Sequence, residues 1–444
     1  MNTPSLPDLT KYEQAIAAAD TFRLAGRVVQ VVGLTIEALG VEAQIGEVCE
    51  IPTRDSSLVC EVVGFREKRA LLMPLGDLAG IQPGSPIFPT RTAFSVPVGM
   101  ELLGRVLDGL GNPIDSKGPL EASETRSTTN TAPHPLDRKT IKESLVTGVR
   151  AIDGFLTCGK GQRMGIFAGS GVGKSTLMGA IARSTDSDVS VIALVGERGR
   201  EVQEFIERDL GEEGLKRSVL VVSTSDQPAL LRLKAASVAT TIAEYYRDQG
   251  LDVTLLMDSV TRYAMAQREV GLAIGEPPAS KGYPPSVFSL LPRLLERAGA
   301  GKHGTITGFF TVLVEGDDFN EPICDTSRSI LDGHIVLSRD LAARNHYPAI
   351  DVLNSVSRVM PAVTSEQHRQ DAAIARKHLA VYEKARDLVN IGAYAAGSDP
   401  EVDAALDSLP ALNSFLLQGP DFVPFENTLD LLHQIGKGVK TDGA

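Results

Sequence analysis

Tryptophan is absent from this chain, and aromatic residues of all kinds make up only 5% of it. Proteins that hold single-stranded nucleic acid set aromatic platforms in a basic groove. Here acids outnumber bases 56 to 44, for a formal charge of −12, which argues against a general affinity for nucleic acid or anionic lipid. Cysteine is scarce. Cys49, Cys60, Cys158 and Cys324 are scattered, with no C-x-x-C or metal-type spacing, so the expectation is reduced, buried thiols in a cytoplasm. The seven histidines are equally dispersed and none is assigned to a metal. No apolar run approaches the length of a bilayer span. The first twenty residues carry early acids and prolines without an apolar stretch, so no secretory signal is expected.

What is present fits a globular chain with a sizeable core. Apolar residues make up 43% of the 444 and charged residues 23%, and a chain of this length suggests about three domains. From about Phe22 to Thr92, short runs rich in Val, Ile and Gly alternate with turn residues, a pattern of a small barrel or sandwich. The turn-dense stretch from Leu103 to Pro135 reads as a connection. Between about Leu145 and Met360 apolar strands alternate with helical patterns. Strand candidates are Met164–Ala168, Val189–Val195, Val219–Val222, Val253–Met257, Ile306–Val314 and Gly333–Leu337, with helices over Pro228–Arg247 and Ser286–Arg297. That order predicts an α/β core with a mostly parallel sheet, covered on both faces. Beyond Met360 the chain reads as helical, over Gln367–Gly392, Asp399–Gln418 and Leu429–Ile435, with Asp399 and Pro400 marking a capped break.

Residues 164–178 read Met-Gly-Ile-Phe-Ala-Gly-Ser-Gly-Val-Gly-Lys-Ser-Thr-Leu-Met. An apolar strand runs into alternating glycines and then a helix start. Glycines let the backbone N–H groups of Gly169, Ser170, Gly171, Val172 and Gly173 curl around phosphate oxygens, and the helix beginning near Lys174–Thr176 points its positive end at them. Lys174 would reach the β- and γ-phosphates, and the Ser175 hydroxyl would ligate Mg²⁺. The first position of the usual G-x-x-x-x-G-K-[ST] pattern holds Ala168 instead of glycine. This is a nucleoside triphosphate site.

Three further elements complete a candidate catalytic set. Leu255-Leu-Met-Asp258 ends an apolar strand on an acid that would either support Mg²⁺ or cap a helix. Glu197, in Val195-Gly-Glu-Arg-Gly-Arg200, stands at the end of the next strand as the candidate to polarise an attacking water, against a solvated charged loop. Arg198 and Glu201 either orient Glu197 or pair with each other. Arg358, in Asn354-Ser-Val-Ser-Arg358, is far along the chain from the sheet core. It is either an arginine finger offered to a neighbouring subunit's nucleotide or one half of a structural ion pair. Tyr347 either stacks on adenine or fills the core.

The stretch Pro348-Ala-Ile-Asp-Val-Leu-Asn-Ser-Val-Ser357 resembles the signature of the hexameric ATPases related to the catalytic subunit of rotary ATP synthases. Within that superfamily the chain is most similar to the type III export ATPases of flagella and virulence injectisomes. Phe167–Ser175, Gly282-Tyr-Pro-Pro-Ser-Val-Phe-Ser-Leu-Leu-Pro-Arg293, Val314–Asp318 and Ser329–Arg339 carry that narrower likeness, which spans nearly the whole chain. It implies three parts: an N-terminal small β-barrel over 1–95 with a flexible or helical start, a RecA-like ATPase domain with its lead-in over 96–360, and a C-terminal helical domain over 361–444. It further implies a homohexamer with nucleotide at each boundary. Lys174 and Ser175 would hold phosphate and Mg²⁺, Glu197 would activate water, Asp258 would support the metal, Arg358 would act in trans and Tyr347 would pack on the base. Ala168 is usual among export ATPases, and Val270–Pro285 resembles their pore loop. Asn390–Pro400 and Val352–Met360 are similar to flagellar members, whereas Ala342–Pro348 leans towards the injectisome.

The implied activity is Mg-dependent ATP hydrolysis that detaches chaperones from export substrates and helps deliver them unfolded to a gate at the inner membrane. Stalk and stator proteins would be partners of an enzyme peripheral to the cytoplasmic face. A rotary synthase catalytic subunit would carry a dense acidic helix-turn near Asp399–Asp407, where this chain interleaves Ala and Leu. A non-catalytic ring subunit would replace the carboxylate at Glu197. A ring helicase on RNA would need a basic, aromatic-bearing surface.

Overall fold

The computed structural model describes residues 24–437 apart from 55, 123, 315, 317 and 420. The start expected to be flexible or helical lies outside the described residues. The chain divides into two compact units between Phe94 and Ser95.

In the first unit six strands close a barrel: β1 (Gly26–Val32), β2 (Thr35–Leu39), β3 (Glu47–Pro52), β4 (Ser57–Arg66), β5 (Arg69–Pro74) and β6 (Pro86–Ala93), in the order β1-β2-β5-β4-β3-β6. Closure comes from Gly26 pairing with Ile87 across β1 and β6, so no strand keeps an open edge. Alternate residues such as Ile36, Ala38, Ile51, Val62 and Leu72 fill the interior. Cys49 and Cys60 face each other across β3 and β4, fully buried, and burial pushes both thiols up to about 12. All four cysteines are buried and free, as the scattered spacing predicts.

The second unit is built on a nine-stranded sheet whose main path is β7 (Val106–Asp108), β8 (Arg163–Ala168), β9 (Val189–Glu197), β10 (Ser218–Thr224), β11 (Asp252–Asp258), β12 (Thr305–Leu313), β13 (Gly333–Leu337) and β14 (Ile350–Ser357), with the short Gly299–Ala300 strand pairing antiparallel to β12 off that path. Their spatial order is β14-β13-β8-β12-β11-β9-β10-β7. Every pairing along this path is parallel except β13 with β14. The six expected strands are present to within a residue or two. Two others on this path were not expected. Val106–Asp108 lies inside the supposed connection and pairs with Leu220–Val222, and Ile350–Ser357 forms the far edge. Within Val270–Pro285, the segment whose sequence resembles a pore loop, Val270–Ile274 is helical, and a turn over Ser280–Gly282 precedes the next helix at Pro285.

The helices that matter here are α1 (Arg150–Phe155), α2 (Lys174–Ser184), α3 (Ala229–Asp248), α4 (Val260–Ile274), α5 (Pro285–Leu295), α6 (Glu366–Asn390), α7 (Pro400–Leu416) and α8 (Phe425–Gly436). Asp399 caps α7 by accepting from the Glu401 and Val402 amides, with Pro400 in the first turn, which is why the helical pattern breaks there. The three C-terminal helices pack on α1 through a shared core. Phe155 meets Phe415 edge to face at 5.7 Å, beside Ala375, Leu412 and Leu432.

A buried ion pair ties the lead-in to α3 and to the end of α5. Arg297 makes two 2.8 Å bonds to Glu244, donates to the Thr128 carbonyl at 3.1 Å and reaches the Thr241 hydroxyl at 2.8 Å; Asn130 donates to Glu244 at 2.9 Å. Both charged side chains are at most 5% exposed. Glu244→Ala would strand the arginine, and we expect a loss of about 3–5 kcal/mol, seen as a lower urea midpoint. Lys377→Ala, which breaks an exposed pair with Glu401, should leave the midpoint nearly unchanged. Equal effects would count against the burial argument.

Candidate active site

Parallel register brings the carboxyl ends of β8, β12, β11 and β9 to one edge, where Ala168 pairs with Leu313 and Leu194 with Asp258. A loop at that edge is the natural place for a ligand. Residues 169–173 leave β8 and enter α2, with Gly171 and Gly173 at φ of 78° and 87°, left-handed backbone that glycine adopts at least cost. No side chain caps α2, so its first N–H groups are available to an anion. Ala168 differs from the glycines after it. It is the last strand residue, 1% exposed, and its carbonyl accepts the Val314 N–H at 3.0 Å. The alanine therefore meets a sheet constraint and leaves the loop intact.

Beside the loop stands a cluster of three charges. Lys174 Nζ meets Asp258 Oδ1 and lies 3.7 Å from Glu197 Oε1. The three side chains are 13%, 5% and 12% exposed. The Thr311 hydroxyl, from the central strand β12, donates to Asp258 at 2.7 Å and fixes that carboxylate. Glu197 is turned towards the cluster by a bulge. Gly196 takes φ of 73°, and the pairing of β9 with β10 slips between Val195 and Glu197. Burial, and next the Asp258 charge, push the Glu197 carboxyl up to about 7, with Lys174 pulling the other way. A carboxylate tuned towards neutrality suits a group that takes a proton from water.

Arg198 and Glu201 pair with each other at 3.3 Å, and Arg198 is 77% exposed. The neighbouring Glu201 carboxylate also adds to the upward shift of Glu197. Tyr347 is 39% exposed, its ring against the loop: a Cβ built on Gly173 would lie 3.4 Å from it. Tyr347, Gly171, Gly173 and Thr176 line one cavity of about 630 Å³, with Gly148 and Gln418 on its wall.

Arg358 is elsewhere. Ser357 pairs with Gly333, which is level with Met164 at the start of β8, whereas the loop follows Ala168 at its end. At about 3.3 Å per strand residue the two ends are roughly 13 Å apart. The structure thus does not bring Arg358 to the phosphate loop of its own chain. Its side chain is exposed and has no ion-pair partner among the described residues.

Arg262 and Thr311 escaped the sequence reading. Arg262, on the first turn of α4, packs against Gly196, and its Nε is buried without a partner among the described residues. An arginine one helical turn beyond an acid-ended strand was the available signal. For Thr311 only the register of β12 beside β11 reveals the contact.

The donors at this edge suit a hard cation. Ser175 supplies a hydroxyl on α2, and Asp258 and Glu197 supply carboxylates. Among the described residues no group of three or more His, Cys, Asp or Glu forms a metal cage. Mg²⁺ commonly takes one or two carboxylates and completes its shell with phosphate and water, so the set fits Mg²⁺ brought with a nucleotide.

Residues 148–357 match the ATP synthase alpha/beta family, nucleotide-binding domain. Residues 28–91 match the beta-barrel domain of that family, and 364–434 the T3SS EscN ATPase C-terminal domain. A flagellum-specific ATP synthase of Bacillus subtilis is 55% identical over 424 residues, covering 95% of each chain. A type 3 secretion system ATPase of Xanthomonas euvesicatoria is 52% identical over 429 residues, covering 96% of this chain and 97% of that one. Among solved structures, the assembled ATPase EscN in complex with its central stalk EscO, from enteropathogenic E. coli, superposes with a TM-score of 0.86 at 47% identity. It covers 93% of this chain and 100% of that one.

The loop geometry generates one expectation. Gly173→Ala places a side chain at left-handed φ, a strain of roughly 1–2 kcal/mol, and should weaken binding of a fluorescent ATP analogue about tenfold. Unchanged affinity would show that the loop does not cradle phosphate.

Proposed function

This chain belongs to the ATP synthase alpha/beta family, among its flagellar and type III secretion ATPases, and we propose that it serves the flagellar export system. It is an ATPase of type III protein export. Supporting the flagellar reading are the 55% likeness to a flagellum-specific relative and the segments Asn390–Pro400 and Val352–Met360. The injectisome is the second reading, favoured by Ala342–Pro348 and by the secretion ATPase at 52%. Deleting the gene separates them: loss of swimming supports the first, and loss of effector secretion with swimming intact supports the second.

The observation that carries the mechanism is the cluster of Lys174, Glu197 and Asp258 at the sheet edge beside a free helix start. The N–H groups from Gly169 to Thr176 hold the phosphates, and Lys174 neutralises the β- and γ-oxygens. Ser175 and Asp258 hold Mg²⁺, which when bound offsets charge on the phosphates. Glu197 orients a water against the γ-phosphorus and receives its proton as the P–O bond to ADP breaks, giving ADP and phosphate. Arg198, paired with Glu201, steadies the Glu197 turn. Tyr347 packs on the base, and Arg262 stands ready for a phosphate oxygen.

Arg358 stabilises the transferring phosphoryl group of a neighbour, since its own loop is at the other end of the sheet. That arrangement supports a homohexamer with the site at each boundary. The three-part division at about 95 and 360 fits the same reading. Export chaperones and their substrates, a central stalk, stator proteins and an inner-membrane export gate are the partners in this scheme, with the enzyme peripheral to the cytoplasmic face. No described helix is long and apolar enough to cross a membrane.

Two outcomes test it. Lys174→Ala and Glu197→Gln should each lower steady-state hydrolysis by about 10²–10⁴-fold, while Glu197→Gln still binds ATP. Near-normal turnover in either would sink the assignment. Lys174→Ala and Arg358→Ala subunits, each inactive alone, should regain part of the activity when mixed; no recovery would count against action in trans.

A further inference from the structure

The base end of the cavity is organised by a residue that no motif marks. Gln418 follows the last turn of α7, and both its amide nitrogen and its amide oxygen are engaged. The oxygen accepts the Arg150 N–H at 2.8 Å, and the nitrogen donates to the carbonyls of Gly148 at 2.7 Å and Asp421 at 2.8 Å. Its own backbone N–H donates to the Tyr347 carbonyl at 3.0 Å. One residue from the C-terminal helical region thus links the loop before α1, the turn carrying Tyr347 and the segment leading to α8.

The loop it grips is itself held rigidly. Asp153, fully buried, accepts from the Thr147 N–H at 2.9 Å, the Thr147 hydroxyl at 2.7 Å and the Gly148 N–H at 2.9 Å. Gly148 has φ of 72°, and a Cβ there would lie 2.4 Å from the Phe422 ring, so Phe422 closes on a glycine left bare for it. Arg150 reaches back to the Ser414 carbonyl at 3.2 Å and lies over the Phe415 ring at 5.9 Å. Gln418, Gly148 and Tyr347 all line the cavity that contains Gly171 and Gly173.

We propose that Gln418 is a positioning residue for the nucleotide base: it holds Tyr347 and the Gly148–Arg150 wall at the spacing a purine needs, from a scaffold supplied by α7 and α8. This rests on the reading of the cavity as the ATP site. The demands on the side chain are specific. Glutamate keeps the acceptor for Arg150 but cannot donate, and it sets a carboxylate against two carbonyl oxygens. Methionine keeps the volume and leaves all three partners unpaired. Both changes act on the wall of the cavity, which neither Lys174 nor Glu197 lines.

The test compares Gln418→Glu and Gln418→Met with wild type for ATP hydrolysis and for inhibition by inorganic tripolyphosphate, which has no base. We expect KM for ATP to rise about tenfold, with kcat within about twofold and the tripolyphosphate inhibition constant unchanged. A merely structural role would lower kcat or weaken tripolyphosphate to the same degree, and either result, or an unchanged KM, would overturn the proposal. Lys174→Ala run in parallel separates the two readings. If it is inactive while both Gln418 variants match wild type, only the Gln418 proposal falls. If it hydrolyses ATP normally, the site reading falls and takes this one with it.

Discussion

A lysine facing two carboxylates at the edge of a parallel sheet is the constraint around which the second unit is arranged. The Lys174 ammonium, Asp258 and Glu197 come from three different segments and are each at most 13% exposed. Bringing them together takes three parallel strands ending level, a loop short enough to start α2 at Lys174, and a bulge at Gly196 to turn Glu197 inward. Burial first, and then the neighbouring Asp258 charge, displace Glu197 towards neutrality. It also sets the chemistry: a cation and polyphosphate entering here would replace a contact that the protein already makes with itself.

Much of the fold was legible because the core strands are continuous apolar runs, as strands buried on both faces must be. Two strands on the main path of the sheet were not. Val106–Asp108 has three residues among glycines and turns, too short to show a period. Ile350–Ser357 is an edge strand whose polar residues, Asp351, Asn354 and Ser355, bond to one another and hide the alternation. The helices were placed well where caps were plain, as at Asp399.

The site was legible in proportion to how local its chemistry is. Residues 169–176 work through backbone and adjacent side chains, so their order in the chain is their geometry. Asp258 and Glu197 could be read from strand ends. Thr311 and Gln418 could not, because each meets its partners through register or packing between segments distant in sequence, and Arg262 was marked only by its place one helical turn beyond Asp258. Gln418 lies 270 residues from the Gly148 carbonyl it bonds. Arg358 was named from its motif, yet only the antiparallel pairing of β14 reveals which end of the sheet it occupies.

Position 168 shows how unevenly tolerance is distributed along the phosphate loop. Its methyl is sealed in the sheet and its carbonyl belongs to a strand pairing, so any small residue content in extended backbone can stand there. One step on, a side chain at Gly169 would press on the Arg339 guanidinium, 2.5 Å from its Nε, a flexible neighbour that can shift. At Gly171 there is open space and still no freedom, because the backbone itself is left-handed. A search pattern demanding glycine first and relaxing later would invert these constraints. For redesign of such loops, the permissive site is the one the textual motif treats as fixed.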